Sequence, residues 1–309
     1  MREVAGMGDD DEAVLDWARE QLDGPLEVTP VKDRPWARTW RLTSSDGVTY
    51  VKAAGVATHY EVSLIAQLHR VAPTMVAPVL AIRPESGWLL LADAGSTLGD
   101  HLGGEFDLSA WTSMLARFAQ LQRIAEPLTA DLITAGVPDE RPDRLLDVLK
   151  QLLTDSPNLT GLTQSERRAL LDRSRRWSEA AVELAQLAVP GSVQHGDLHP
   201  GNVAIADDGL ARFFDFGDAS IAHPFTTMLV PLQVARSLGA GEGQIARLRD
   251  GYLEGFTDLA PLRHLRHGLD VALWCAGLPK ATAWDRALWT APFGHPWGLP
   301  VGEYLRDLL

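Results

Sequence analysis

Asp197, Asn202 and Asp215 lie in the segment HGDLHPGNVAIADDGLARFFDFGD (195–218), and their types and spacing define one chemistry. Asp197 and Asn202 sit five residues apart on a polar loop, and Asp215 follows Asn202 by 13 residues at the start of the next loop. An amide oxygen and a carboxylate converging from neighbouring loops make a hard oxygen-ligand set, which suits Mg2+. Few protein ligands imply that substrate phosphates complete the metal's shell. Asp197 is then left to accept a proton from a hydroxyl, the general-base role. Together these are the requirements of phosphoryl transfer from a nucleotide. The plainer alternative is that Gly, Pro, Asp and Asn only build a turn between two apolar runs. His195 and His199 stand at i and i+4, a zinc spacing on a helix, but Gly196, Pro200 and Gly201 argue against a helix and so against a metallohydrolase.

The elements that must position this loop follow from periodicity. Residues 11–23 place Val14, Leu15, Ala18 and Leu22 at helical spacing. LEVTPV (26–31), WARTWRLTS (36–44) and VTYVKAA (48–54) read as strands, the last two joined by the turn Ser45-Asp46-Gly47. A helix is expected at 58–70, then strands at 79–84 and 87–93. After Gly95 the character changes: 107–126, 141–154, 163–188, 223–239, 243–258 and 261–276 read as helical, with a strand-loop-strand unit at 192–216. The expectation is an α+β fold, with a sheet-rich first lobe over 1–95 and a larger, mostly helical second lobe over 96–309.

Composition bounds the rest. The 309 residues are ordinary for a globular chain, with 46% hydrophobic and 22% charged residues. A single cysteine, Cys275, excludes an internal disulfide framework and fits a reducing, cytoplasmic setting. The N-terminus, MREVAGMGDDDEAV, has no apolar core of a secretory signal, and no apolar run is long enough to span a membrane. The formal charge of −13 argues against a nucleic-acid partner, which demands a basic face, and is compatible with a cationic small substrate.

HGDLHPGN followed by FDFG resembles the catalytic and metal loops of the aminoglycoside phosphotransferase family, small-molecule kinases that share the protein-kinase-like two-lobe fold. The resemblance runs from about residue 25 to 235. It implies Asp197 as catalytic base, Asn202 and Asp215 as Mg2+ ligands, and ATP or GTP as phosphoryl donor. His195 is expected to brace backbone. His199 reads either as an approach to the phosphoryl group or substrate, or as structural. Asp218 reads as a cap, with a substrate-facing role as the alternative.

The nucleotide end follows the same logic. Alternation in VTYVKAA does not say which way Lys52 points. Glu61, however, shares a helical stripe with Ile65 and Leu68, and a carboxylate on a core stripe calls for a charge partner. Lys52 is the nearest candidate, and such a strand-to-helix Lys–Glu pair is what the resemblance implies. GWLLLADAG resembles the hinge that holds adenine, with backbone groups around Leu91 and Asp93 pairing with the base and Leu90 and Leu91 lining an apolar slot. The loop KDRPWARTWRL departs from the kinase pattern, having no glycine for close backbone approach to phosphates. A side-chain-mediated lid is expected instead, with Arg34, Trp36 or Arg38 as candidates, and Trp36 alternatively packing on the sheet.

The acceptor is expected to be a small hydroxyl compound: an aminoglycoside, an amino sugar or an amino alcohol. Trp274, Trp284, Trp289, Trp297, Glu303 and Asp307 could line its site, although core packing is the commoner fate of such tryptophans. A catalytically idle, nucleotide-binding regulatory relative is the alternative, opposed by the intact set Lys52, Glu61, Asp197, Asn202 and Asp215. A protein kinase is disfavoured because no A-P-E-like segment follows FDFG.

Overall fold

The computed structural model describes residues 9–159, 162–291, 295 and 299–309. The first elements are α1 (Asp9–Glu20), β1 (Glu27–Arg34), β2 (Ala37–Ser44), β3 (Gly47–Ala54), α2 (Tyr60–Val71), β4 (Val79–Arg83) and β5 (Trp88–Ala92). The strands form one sheet in the order β1-β2-β3-β5-β4, antiparallel at every pairing. Each strand shows side chains to both faces with period two. Trp40, Leu42, Val51 and Leu90 point to one face and meet Val14, Leu15, Trp17 and Ala18 of α1. Thr39, Tyr50, Lys52, Leu89 and Leu91 point to the other and line a cavity. Leu89 also joins the core made by Val62, Leu64, Ile65 and Leu68 of α2. Leu90 therefore faces away from the slot expected of it. Consecutive strand residues cannot share a face.

The remainder is mostly helical, as the α+β expectation has it. It comprises α3 (Leu98–Leu102), α4 (Leu108–Ala125), α5 (Thr129–Thr134), β6 (Asp139–Glu140), α6 (Leu145–Asp155), α7 (Gln164–Asp172), α8 (Ser174–Ala185), β7 (Ser192–Gln194), β8 (Val203–Ile205), β9 (Ala211–Phe213) and β10 (Ser220–Ala222). Among the described residues five helices follow: α9 (Leu229–Ser237), α10 (Glu242–Leu253), α11 (Leu262–Cys275), α12 (Gly277–Ala287) and α13 (Leu299–Arg306). The continuous helix expected over 163–188 is broken at Arg173, which separates α7 from α8. No helix among the described residues is long and apolar enough to cross a membrane.

The buried helix α4 holds the segment leading into residues 195–202 from beneath. Gln122 is 1% exposed; its Nε2 donates to the Val193 and Pro224 carbonyls at 2.8 and 3.0 Å, and its Oε1 accepts from the Tyr252 hydroxyl at 2.6 Å. Ser192 Oγ donates to the Gln122 carbonyl at 2.6 Å. A buried amide with every group satisfied fixes its partners in one register. Here the partners include β7, the strand that feeds residues 195–202.

Candidate active site

The polar loop is built on a ring of aromatics. Phe118 meets Phe213 edge-on at 4.9 Å between centroids, and His195 lies 4.6 Å from Phe216. His195 is fully buried, and burial holds its imidazole below the ordinary histidine range, so it is neutral. Its Nε2 bonds the Phe214 carbonyl at 3.0 Å and its Nδ1 accepts the Asp197 N–H at 3.3 Å. It thus ties the 195–202 loop to the segment after β9 that carries Asp215. Gly196 has φ +77°, and a Cβ there would stand 2.3 Å from the Asp218 carbonyl, so no larger residue fits. The β8–β9 hairpin then returns the chain, pairing Val203 with Phe213, which brings Asn202 beside the Asp215 loop.

Lys52 is the hub of the nucleotide end. Its ammonium donates to Glu61 Oε1 at 2.7 Å and to Asp215 Oδ1 at 2.6 Å, while Lys32 donates to Asp215 Oδ2 at 3.0 Å. Burial opposes the charge on Lys52, but Asp215 and Glu61 outweigh it and hold the ammonium above the usual lysine range. Burial likewise opposes ionisation of Asp215. The ammonium groups of Lys52 and Lys32 prevail and hold its carboxyl well below the usual carboxylate range. Glu61 is raised by burial, with Lys52 pulling it back. Asp215 has φ +62°, a left-handed conformation that costs a non-glycine residue about 1–3 kcal/mol. The two lysines hold its carboxylate, and two residues on, the Gly217 carbonyl accepts the Tyr60 hydroxyl at 2.6 Å.

At the catalytic end, Asn202 Nδ2 donates to the Asp197 carbonyl at 2.9 Å and to Asp197 Oδ2 at 3.2 Å. That leaves the Asn202 amide oxygen for another partner. His199 Nε2 stands 3.5 Å from Asp197 Oδ2, and its Nδ1 accepts the Gly201 N–H at 3.0 Å, so the ring is keyed into its own loop. Asp218 does not cap the following segment; its carboxylate is taken by Lys280 at 2.7 Å. Lys280 also donates to the Gly196 carbonyl at 2.9 Å and to Asp197 Oδ1 at 3.2 Å. Burial opposes its charge, and Asp218 and Asp197 keep it protonated above the usual lysine range. Burial would raise Asp197, but His199 and Lys280 hold its carboxyl well below its ordinary value. Its side chain is 39% exposed, so the carboxylate is both ionised and reachable.

Lys32 and Lys280 escaped the sequence reading. A signal for Lys280 existed: it shares a stripe of α12 with Ala283, Trp284 and Ala287, the pattern that singled out Glu61. Conversely, Arg34 and Arg38 are not lid residues. They line a separate cavity of about 510 Å³ with Asp10, His59 and Trp88, and Arg38 pairs with Asp11. Trp36 packs edge-on against Trp284 at 5.8 Å. Of the backbone groups around Leu91 and Asp93 expected to pair with a base edge, the Asp93 N–H is taken by the Val48 carbonyl at 3.2 Å, and the Asp93 carboxylate accepts the Gly95 N–H at 3.0 Å. Trp274 packs in a tilted arrangement against Trp177 at 4.7 Å and Trp289 is 55% exposed, while Glu303 and Asp307 are also exposed. Trp297 lies outside the described residues.

A cavity of about 370 Å³ joins the nucleotide-end residues. Val31, Ile65, Ala77, Leu89 and Leu91 form its apolar walls, and Lys32, Lys52, Asn202 and Asp215 its polar end. Apolar walls with a few convergent charges suit a planar base carrying phosphates. The amide oxygen of Asn202 and the Asp215 carboxylate are hard oxygen donors that fit Mg2+. Among the described residues no three His, Cys, Asp or Glu side chains cluster as a metal site, so such an ion would need further oxygens from its ligand.

The fold has close counterparts among solved structures. The ethanolamine kinase of Plasmodium vivax superposes with a TM-score of 0.64 at 11% identity, over 92% of this chain and 82% of that one. The choline kinase LicA of Streptococcus pneumoniae gives 0.63 at 13%, over 96% and 98%. The macrolide 2'-phosphotransferase MphH of Brachybacterium faecium gives 0.59 at 16%, over 97% of each chain. At these identities the likeness is one of fold. No curated protein matches significantly in sequence. The family model of the phosphotransferase enzyme family, by contrast, matches residues 37–265, from β2 through the loops that carry Asp197, Asn202 and Asp215 into α11. With more than half its length so matched, the chain belongs to the phosphotransferase enzyme family, the family of the aminoglycoside phosphotransferases.

Proposed function

We propose that the protein transfers the γ-phosphoryl group of Mg-ATP or Mg-GTP to a hydroxyl of a small molecule, an aminoglycoside, amino sugar or amino alcohol. In this reading residues 1–95 supply most of the nucleotide site, and residues 96–309 supply the catalytic loop, the metal loop and the acceptor site. The observation that carries it is the shared lysine: Lys52 bridges Glu61 and Asp215 at the polar end of the cavity, and Asn202 links that end to Asp197. Adenine-nucleotide chemistry has a counterpart in the fold, since LicA has been solved in complex with AMP.

When bound, Mg2+ neutralises charge on the phosphate oxygens. Asn202 and Asp215 would hold it, and Lys52 would meet the α- and β-phosphates with the ammonium that Glu61 keeps in place. Asp197 orients the acceptor hydroxyl and takes its proton as the oxygen joins the γ-phosphorus and the bond from that phosphorus to the β–γ bridging oxygen breaks, releasing the nucleoside diphosphate. Lys280 occupies one oxygen of the Asp197 carboxylate, leaving Oδ2 as the base, flanked by His199 and Asn202. The backbone bonds of His195 hold the loop without taking part in proton transfer.

Calorimetry with ATP and GTP in the presence of Mg2+, followed by nucleotide turnover against aminoglycosides, amino sugars and amino alcohols, tests this reading. Micromolar to millimolar nucleotide affinity and turnover with one acceptor class are expected. Folded protein without nucleotide affinity would sink it.

A further inference from the structure

The geometry points to Lys32 as a phosphate-binding residue that takes the place of a glycine-rich loop. The inference rests on the nucleotide reading of the cavity and adds to it a ligand that no family motif marks.

Two features of the first hairpin carry it. β1 ends at Arg34 and β2 begins at Ala37, so only Pro35 and Trp36 form the turn. Pro35 has no N–H to offer a phosphate. The Trp36 carbonyl accepts the Gly55 N–H at 2.7 Å and the Thr58 hydroxyl at 3.2 Å, and its ring lies on Trp284. This turn is fastened to its neighbours instead of lying over a ligand as a loop of backbone amides.

The second feature is a β-bulge. Pairing runs from Pro30 opposite Trp40 directly to Lys32 opposite Thr39, which leaves Val31 as the extra residue. A bulge re-aims the side chains beyond it, because a one-residue slip exchanges the faces of a strand. Without it Lys32 would stand opposite Arg38, on the face that Trp88 and Asp10 share. With it, Lys32, Thr39, Lys52 and Leu89 form one row across the sheet on the cavity face. Lys32 then reaches Asp215 Oδ2 at 3.0 Å, beside the oxygen that Lys52 holds.

The Lys32–Asp215 pair is half-open, with side chains 35% and 26% exposed. Ion pairs this accessible contribute little stability, so little is lost when the ammonium turns to a phosphate oxygen. Lys52 is differently placed, buried and anchored by Glu61. The row therefore presents one fixed and one movable ammonium. Lys32 would serve the outer phosphates, where the acceptor is phosphorylated, and leave the nucleoside untouched.

Titration calorimetry of wild type and Lys32→Met with Mg-ATP, Mg-ADP and AMP tests this. The variant is expected to lose affinity for Mg-ATP on the order of 10-fold, the scale of a charge-assisted hydrogen bond at a half-open site. It should lose less for Mg-ADP and stay within about two-fold for AMP. Lys32→Arg should recover most of the loss. Arg34→Met, whose side chain lines the other cavity, should change none of the three. Equal losses for all three nucleotides, or an unchanged Mg-ATP affinity in Lys32→Met, would overturn the inference while leaving the nucleotide site intact. Lys32→Gln, judged by the same ordering, decides the matter if the Met variant proves unstable. Wild type that binds no nucleotide would remove the underlying reading instead.

Discussion

Lys52 joins two carboxylates whose fallbacks differ, and this asymmetry predicts unequal mutants. Replacing Lys52 with Met strands Glu61, whose side chain is 4% exposed and whose ion-pair partner among the described residues is Lys52. Removing one member of a buried pair costs about 3–5 kcal/mol, because the survivor is left charged and desolvated. Glu61→Gln is milder. Lys52 keeps Asp215 at 2.6 Å and Asp215 keeps Lys32 at 3.0 Å, so the loss is that of one charged hydrogen bond, about 1.5–3 kcal/mol. The double variant Lys52→Met/Glu61→Gln has no stranded carboxylate and should cost less than the sum by about 1–3 kcal/mol. The pH dependence has a fixed sign. Burial raises the Glu61 carboxyl, and losing Lys52 raises it further. A raised carboxyl favours the folded state at low pH, and that contribution disappears as pH rises through its folded-state value. The Lys52→Met deficit should therefore be greatest at neutral pH and shrink on acidification. Urea unfolding of the three variants across pH measures all of this. Additive losses, or a Glu61→Gln variant weaker than Lys52→Met, would refute the three-centre arrangement.

Two further outcomes are expected. Lys280→Met should leave Mg-nucleotide affinity within about three-fold of wild type and lower kcat on the order of 10²-fold, the cost of a misplaced catalytic group; equal kcat in steady-state assays would mean that Lys280 does not position Asp197. His223 is pushed down from 6.5 to about 3 by burial, and its Nε2 has no partner among the described residues. A histidine depressed in this way stabilises the fold above its unfolded value and loses that contribution as pH falls, so denaturant melts of His223→Gln should show a flatter acid slope than wild type, by about 1.4 kcal/mol per pH unit between 6.5 and 3. Parallel slopes would contradict it.

The sheet was legible because its signals are local. Alternation and the Ser45-Asp46-Gly47 turn fix β2 and β3, and the structure pairs Ser44 with Gly47 across that turn. Asp197, Asn202 and Asp215 were legible because a short loop and one hairpin bring them together. Glu61 was betrayed by its place on an apolar stripe. What escaped depends on register and on distant packing. No pattern in EVTPVKDR announces that Val31 bulges and turns Lys32 inward, since the bulge exists only against β2. Lys280 lies 83 residues from Asp197, on a helix that opens with Gly277, Leu278 and Pro279 and carries no side-chain cap. Leu90 was misassigned because both it and Leu91 are apolar, and only pairing reveals that they face opposite cores.

The central claim, that Asp197 is the base and Asp215 a metal ligand, is tested most directly by comparing Asp197→Asn with Asp215→Asn in parallel calorimetry and turnover with Mg-nucleotide and an identified acceptor. Asp197→Asn should bind Mg-nucleotide as wild type does and lose turnover by about 10²–10⁴-fold. Asp215→Asn should lose both affinity and turnover. Near-normal turnover in Asp197→Asn would contradict the account and return HGDLHPGN to the status of a turn.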